Sequence, residues 1–106
     1  MVKKILFISF LIVSSFAFSQ EKSIQKLAAS PNPFINTTTI TFNSTNKQDV
    51  FIRVKNVLGK TVFSQRITVQ NGKNELSFNR NSLKSGMYIY AIQTKKGIIS
   101  KRFVIR

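Results

Sequence analysis

The chain has 106 residues, with 17 Lys and Arg against three Asp and Glu, and it contains neither histidine nor cysteine. Disulfides and thiol or imidazole chemistry are therefore excluded, and the acids Glu21, Asp49 and Glu75 are too far apart in sequence to suggest paired carboxylates or a metal site. We expect no enzyme activity, no metal and no cofactor. The net charge of +14 favours an anionic partner.

The first residues follow the pattern of a secretory signal peptide. Lys3 and Lys4 precede an apolar run over residues 5–13, and small side chains follow at the positions that signal peptidase requires. The run falls short of the roughly 20 apolar residues that span a bilayer. We expect residues 1–19 to be removed, with the Sec translocon and signal peptidase as the first partners. The predicted cleavage site consists of Ala17, Ser19 and Gln20.

Removal of that segment leaves 87 residues with 15 basic side chains against three acids, a net charge of +12. A chain of this length forms one small domain, and without cysteine its sheet packing alone must hold it together. Because an exported protein rarely meets nucleic acid, we exclude nucleic acid as a partner. Acidic lipopolysaccharide and the membrane surface remain.

The exported part begins with a short lead, residues 20–29, that shows no strong period and contains an edge strand around residues 24–28. After it, alternating apolar residues predict half-buried strands. The segment from Met87 to Thr94 is apolar or aromatic on both faces for its first six residues, which predicts a central strand covered on both sides. The remaining strands are expected near residues 37–43, 49–56, 61–69, 74–79 and 98–106.

Glycines separate several of these strands and predict tight hairpins. Gly59, Gly72 and Gly97 each stand where a hairpin needs a positive φ, and Asn71-Gly72 is the strongest of these signals. Six or seven short strands at intervals of roughly ten residues predict an all-β domain. The expected fold is a small antiparallel, immunoglobulin-like β-sandwich over residues 30–106.

Four short motifs occur in a fixed order along this domain. They are Ser30-Pro31-Asn32-Pro33, Val57-Leu58-Gly59-Lys60, Leu83-Lys84-Ser85-Gly86-Met87-Tyr88 and Lys101-Arg102-Phe103-Val104. Together they resemble the type A C-terminal sorting domain of the type IX secretion system of Bacteroidetes, over about residues 24 to 106. The resemblance implies that the sorting residues are Pro31, Asn32, Pro33, Gly59, Gly86, Tyr88, Lys101 and Arg102.

Each motif also has a purely structural interpretation. The two prolines force an extended entry into the sandwich, and Asn32 between them can close an Asx-turn on its neighbouring backbone. Gly86 lets the chain swing into the central strand, and Tyr88 should bury its ring while its hydroxyl finds a partner at the rim. These residues can therefore serve the fold, recognition, or both.

The basic residues of the last segment leave two alternatives open. Lys101, Arg102 and Arg106 can protect an edge strand from aggregation by their charge. The resemblance instead implies that they contact the secretion machinery.

The resemblance implies a sorting function and two further partners. These are the type IX outer-membrane translocon and its sortase-like peptidase, with anionic lipopolysaccharide as the surface to which cargo is attached. We expect transit through the periplasm to the cell surface or the medium. Between Gln20 and Ser30, however, there is almost no room for a cargo. The alternative is a stand-alone small basic protein that binds acidic polysaccharide or another protein at the surface.

Overall fold

The computed structural model describes residues 23–106, and the regular structure in that range consists entirely of β-strands. The predicted signal peptide, its cleavage site and the first part of the lead lie outside these residues. Within residues 23–106 no helix is available to cross a membrane. The strands are β1 (Ile24–Ser30), β2 (Thr37–Ser44), β3 (Gln48–Lys55), β4 (Thr61–Val69), β5 (Gly72–Asn79), β6 (Gly86–Thr94) and β7 (Gly97–Ile105).

The strands form two antiparallel sheets that pack against each other. One sheet has the order β1-β2-β5, and the other has the order β4-β3-β6-β7. Alternation along each strand sends one set of side chains inward, as for Ile40 and Phe42 in β2 and for Val50, Ile52 and Val54 in β3. The predicted all-β antiparallel sandwich is confirmed.

An aromatic cluster occupies one part of the core. The ring of Phe103 lies 5.1 Å from those of Phe34 and Tyr90 and 5.4 Å from that of Phe78, measured between centroids. These four side chains are all buried. Aromatic contacts of this kind add to the free energy gained by burying the apolar surface, so Phe103 of the last strand links both sheets.

The position of β6 was only partly anticipated. It is a central strand of the four-stranded sheet, as predicted, but the expectation that both its faces are covered is wrong. Met87 and Ile89 are 41% and 39% exposed. The reason is that the three-stranded sheet covers only one face of its partner, and nothing in residues 23–106 packs on the other face.

The turn at Asn71-Gly72 is not a hairpin, which corrects the strongest of the turn predictions. Gly72 has the expected positive φ of 100°, but the turn joins β4 of one sheet to β5 of the other. The side chain of Asn74 closes it, accepting the N–H of Gln70 at 2.9 Å and donating to the carbonyl of Gln70 at 2.8 Å. The turns at Gly59 and Gly97 do connect antiparallel neighbours.

A bulge explains why the lead segment shows no regular period. The pairing of β1 with β2 shifts register between Gln25 and Ala28, and Lys26 within the shift has a φ of 57°. Ile24 and Leu27 are three residues apart, so simple alternation would put them on opposite faces. The bulge lets both enter the core.

Candidate functional site

Three of the four motifs lie in loops or strand starts at one end of the sandwich, and the fourth, on β7, approaches the same end. This end carries the loops of residues 31–36, 56–60 and 80–85 together with Arg106, and it is called the motif end below. The opposite end carries the connections of residues 45–47, 70–71 and 95–96. The topology therefore brings motifs that are far apart in the sequence to the same end of the sandwich.

Asn32 joins the first motif to the last. Its Nδ2 donates a hydrogen bond to the carbonyl of Arg102 at 3.2 Å, and its Oδ1 accepts the N–H of Val104 at 3.0 Å. The expected Asx-turn is therefore wrong. An Asx-turn would take the N–H of Phe34, two residues on, and that N–H donates to the carbonyl of Val104 instead.

Phe34, like Asn32, forms hydrogen bonds with the outer edge of β7. Its N–H lies 3.0 Å from the carbonyl of Val104, and its own carbonyl accepts the N–H of Arg106 at 2.8 Å. Its ring is buried and meets Phe103 edge to face. The loop after β1 thus satisfies the outer edge of β7 between Arg102 and Arg106, where an unpaired strand edge would otherwise be open.

Arg80 holds the loops of the motif end to the end of β7. Its guanidinium donates to the main-chain oxygens of Ile35, Leu83 and Arg106. It also reaches the hydroxyl of Ser85 at 3.0 Å. Sequence reasoning missed Arg80, because nothing local distinguishes it from the other basic residues.

The turn between β3 and β4 is fixed by the side chain of Asn56. Its Oδ1 accepts the N–H groups of Leu58 and Lys60, both at 3.0 Å, while its carbonyl accepts the N–H of Gly59 at 3.0 Å. Gly59 has a φ of 84°, a region that side-chain-bearing residues avoid. The result is a rigid turn in which Val57 and Leu58 are 68% and 88% exposed.

The third motif forms the start of β6. Gly86 pairs with Ile105 and has a φ of 150°. Tyr88 buries its ring, and its hydroxyl donates to the carbonyl of Lys84 at 2.7 Å. Tyr88 therefore closes the loop that brings the chain into the four-stranded sheet.

Lys101 and Arg102 are both exposed on β7, which is an edge strand. As neighbours on a strand they face opposite sides, Lys101 paired with Tyr90 and Arg102 paired with Ile89. Lys101 stays in water although it is on the core side. The geometry is compatible with edge protection and with a contact role, so both interpretations of these side chains remain.

The acidic side chains of residues 23–106 lie away from the motif end. Asp49 pairs with Arg66 at 2.8 Å, and Glu75 lies 3.7 Å from Lys73. A hydrogen bond from Thr68, together with the Arg66 guanidinium, lowers the pKa of Asp49 below its ordinary value. Over the same residues no three metal-ligating side chains come together. Among residues 23–106, the motif end therefore carries basic side chains and no acidic ones.

Comparison with known proteins identifies one family. Residues 29–106 match the family model described as a secretion system C-terminal sorting domain. No curated protein sequence matches the chain. A crystal structure of a β-glucosidase from Listeria innocua in complex with glucose is similar at 12% identity and a TM-score of 0.40, over 76% of this chain and 16% of that one.

Proposed function

The chain belongs to the family of secretion system C-terminal sorting domains, and from that premise we propose that the motif end and the basic last strand form the surface that the type IX machinery reads. The family is not an enzyme family, and its role is sorting. Membership implies interaction with the type IX secretion machinery and export to the cell surface or the extracellular space.

The observation that supports this surface is that hydrogen bonds hold together the first, third and fourth motifs. Asn32 bridges the first motif to β7 over 70 residues of sequence, and Arg80 ties the loops beside them to Arg106. A translocon that accepts folded cargo can recognise only what a folded surface presents. Each motif alone is a weak recognition signal, but motifs that are held side by side form one surface that a translocon can recognise.

The rest of the export route is part of the same proposal. Signal peptidase cleaves between Ser19 and Gln20 after Sec export, and the chain then crosses the periplasm as a folded domain of residues 30–106. The outer-membrane translocon receives it there, and the sortase-like peptidase and anionic lipopolysaccharide act at the surface. The domain has no enzymatic role in this route.

Residues 20–106 fused behind a periplasmic reporter test the proposal in a host that exports its own type IX cargo. The fusion should carry the reporter to the surface. Reversing two charges with Lys101→Glu and Arg102→Glu should hold the reporter in the periplasm, because the sign of the proposed contact is inverted. The fold should survive, since exposed substitutions usually change the free energy of unfolding by about 0.5 kcal/mol or less.

A matched control reverses the same number of charges at the opposite end. Lys95→Glu and Lys96→Glu alter an exposed turn and leave the net charge equal to that of the first variant. Surface delivery should persist in this control. Gly86→Val should also stop export, but by misfolding, which circular dichroism separates from loss of contact. If the wild-type fusion stays periplasmic, the sorting surface is wrong.

A further inference from the structure

The turn after β3 presents apolar side chains where turns ordinarily present polar ones. Leu58 is 88% exposed and Val57 is 68% exposed, higher than the other large apolar side chains of residues 23–106. We propose that Val57 and Leu58 form a docking knob that inserts into an apolar, acid-rimmed pocket of a protein in the secretion machinery. This inference rests on the proposed function and names the chemistry of the partner.

Hydrogen bonds within the turn fix the conformation of the knob. Two N–H groups of the turn donate to the Asn56 side chain, and the main chain of Asn56 closes the turn again by accepting from Gly59 and donating to Lys60 at 2.9 Å. A turn fixed in this way loses little conformational entropy when it binds, so more of the free energy of apolar burial is available for affinity. The core gains nothing from Leu58, so stability of the fold does not account for it.

Other exposed apolar side chains lie at the same end. Ile35 is 63% exposed in the loop before β2, and Met87 and Val104 are paired neighbours on the open face of the four-stranded sheet. A single exposed leucine is common in proteins, but several exposed apolar side chains at one end indicate an interaction site. The knob is the most exposed point of this set.

The basic side chains around the knob predict the charge at the rim of the partner's pocket. Lys60 follows the knob, Lys55 precedes it, and Lys84 lies in a neighbouring loop of the motif end. Asp49 and Glu75 are both engaged in ion pairs elsewhere. A complementary surface therefore has carboxylates around an apolar centre. A fixed two-residue knob matches the defined shape of a protein pocket, whereas interfacial lipid binding commonly uses an amphipathic helix, which residues 23–106 do not contain.

The test compares full-length variants expressed in a type IX-competent host. Val57→Ser with Leu58→Ser should lower the rate at which the chain reaches the surface by roughly tenfold or more, the effect of losing a buried aliphatic anchor. Leu58→Met should retain export, because volume and polarity are nearly kept. Ile98→Ser is the matched control, since Ile98 is 66% exposed at the opposite end, and its export should be unchanged.

The outcomes separate this inference from the proposed function. If the wild-type chain is not exported, the sorting surface itself fails. If the wild-type chain and the double serine variant are exported equally, the docking role of Val57 and Leu58 is wrong and the sorting surface stands. Equal melting temperatures of the purified variants exclude unfolding as the cause of a loss. Binding of wild type, but not of the serine variant, to vesicles of phosphatidylcholine and phosphatidylglycerol would assign the knob to lipid and overturn the protein pocket.

Discussion

The side-chain amide of Asn32 donates a hydrogen bond to the main-chain oxygen of Arg102, 70 residues later in the chain. With its other amide atom it accepts the N–H of Val104. The side chain therefore presents a donor and an acceptor to β7 as a neighbouring strand would. The outer edge of the last strand is satisfied there by a loop rather than by a partner strand.

Replacing Asn32 with alanine should destabilise the domain by about 1–2 kcal/mol, since it removes two hydrogen bonds that cover the outer edge of β7. Urea unfolding followed by circular dichroism measures the change. Asn71→Ala is the matched control, because the Asn71 side chain is exposed and makes no hydrogen bond within residues 23–106. An equal loss in both variants would contradict a special role for Asn32.

Phe103→Ala should cost about 3–5 kcal/mol, because the ring is fully buried among aromatic neighbours from both sheets and its removal leaves a cavity. Val104→Ala, one residue on and facing the open side, should cost less than about 1 kcal/mol. Thermal unfolding of the two purified variants gives the comparison. Similar losses would mean that β7 does not face the core as described.

Gly59→Ala should cost about 1–2 kcal/mol through the backbone alone. The residue has a φ of 84°, and an added Cβ would meet nothing within 4 Å, so there is no steric clash to relieve. Gly59→Asn should keep most of the stability, because asparagine tolerates this region better than alanine does. A variant series in which asparagine is the worse replacement would refute this explanation.

Stability should decrease as the pH falls through the folded-state pKa of Asp49. Hydrogen bonds from Thr68 and Arg66 lower that pKa below the ordinary 3.8. The unfolded chain therefore takes up its proton first on acidification, and the stabilising effect, present above pH 3.8, is lost below it. Asp49→Asn should show a smaller decrease in melting temperature between pH 6 and about pH 3. Identical pH profiles would exclude Asp49 as the source.

Several features followed from local pattern. The strand positions and the half-buried alternation within them were predicted correctly, because alternation with a period of two is set by the backbone of each strand. The positive φ of Gly59 was predicted for the same kind of reason, since a tight hairpin requires it. The ordered motifs also carried the family resemblance.

Other features depended on contacts between distant residues. The Asn71-Gly72 sequence is typical of a hairpin turn, yet the two strands that it connects belong to different sheets. Which strands pair is determined by the packing of the two sheets and not by the turn. The open side of β6 follows from the two-layer packing, in which the three-stranded sheet covers only one face of the four-stranded sheet. Asn32 and Arg80 act on residues that no local pattern connects to them. Sequence alone thus determined the strand positions, the hairpins at Gly59 and Gly97 and the family, whereas tertiary structure decided which surfaces meet. The reason is that strand pairing and the covering of strand edges are long-range contacts that depend on the whole fold.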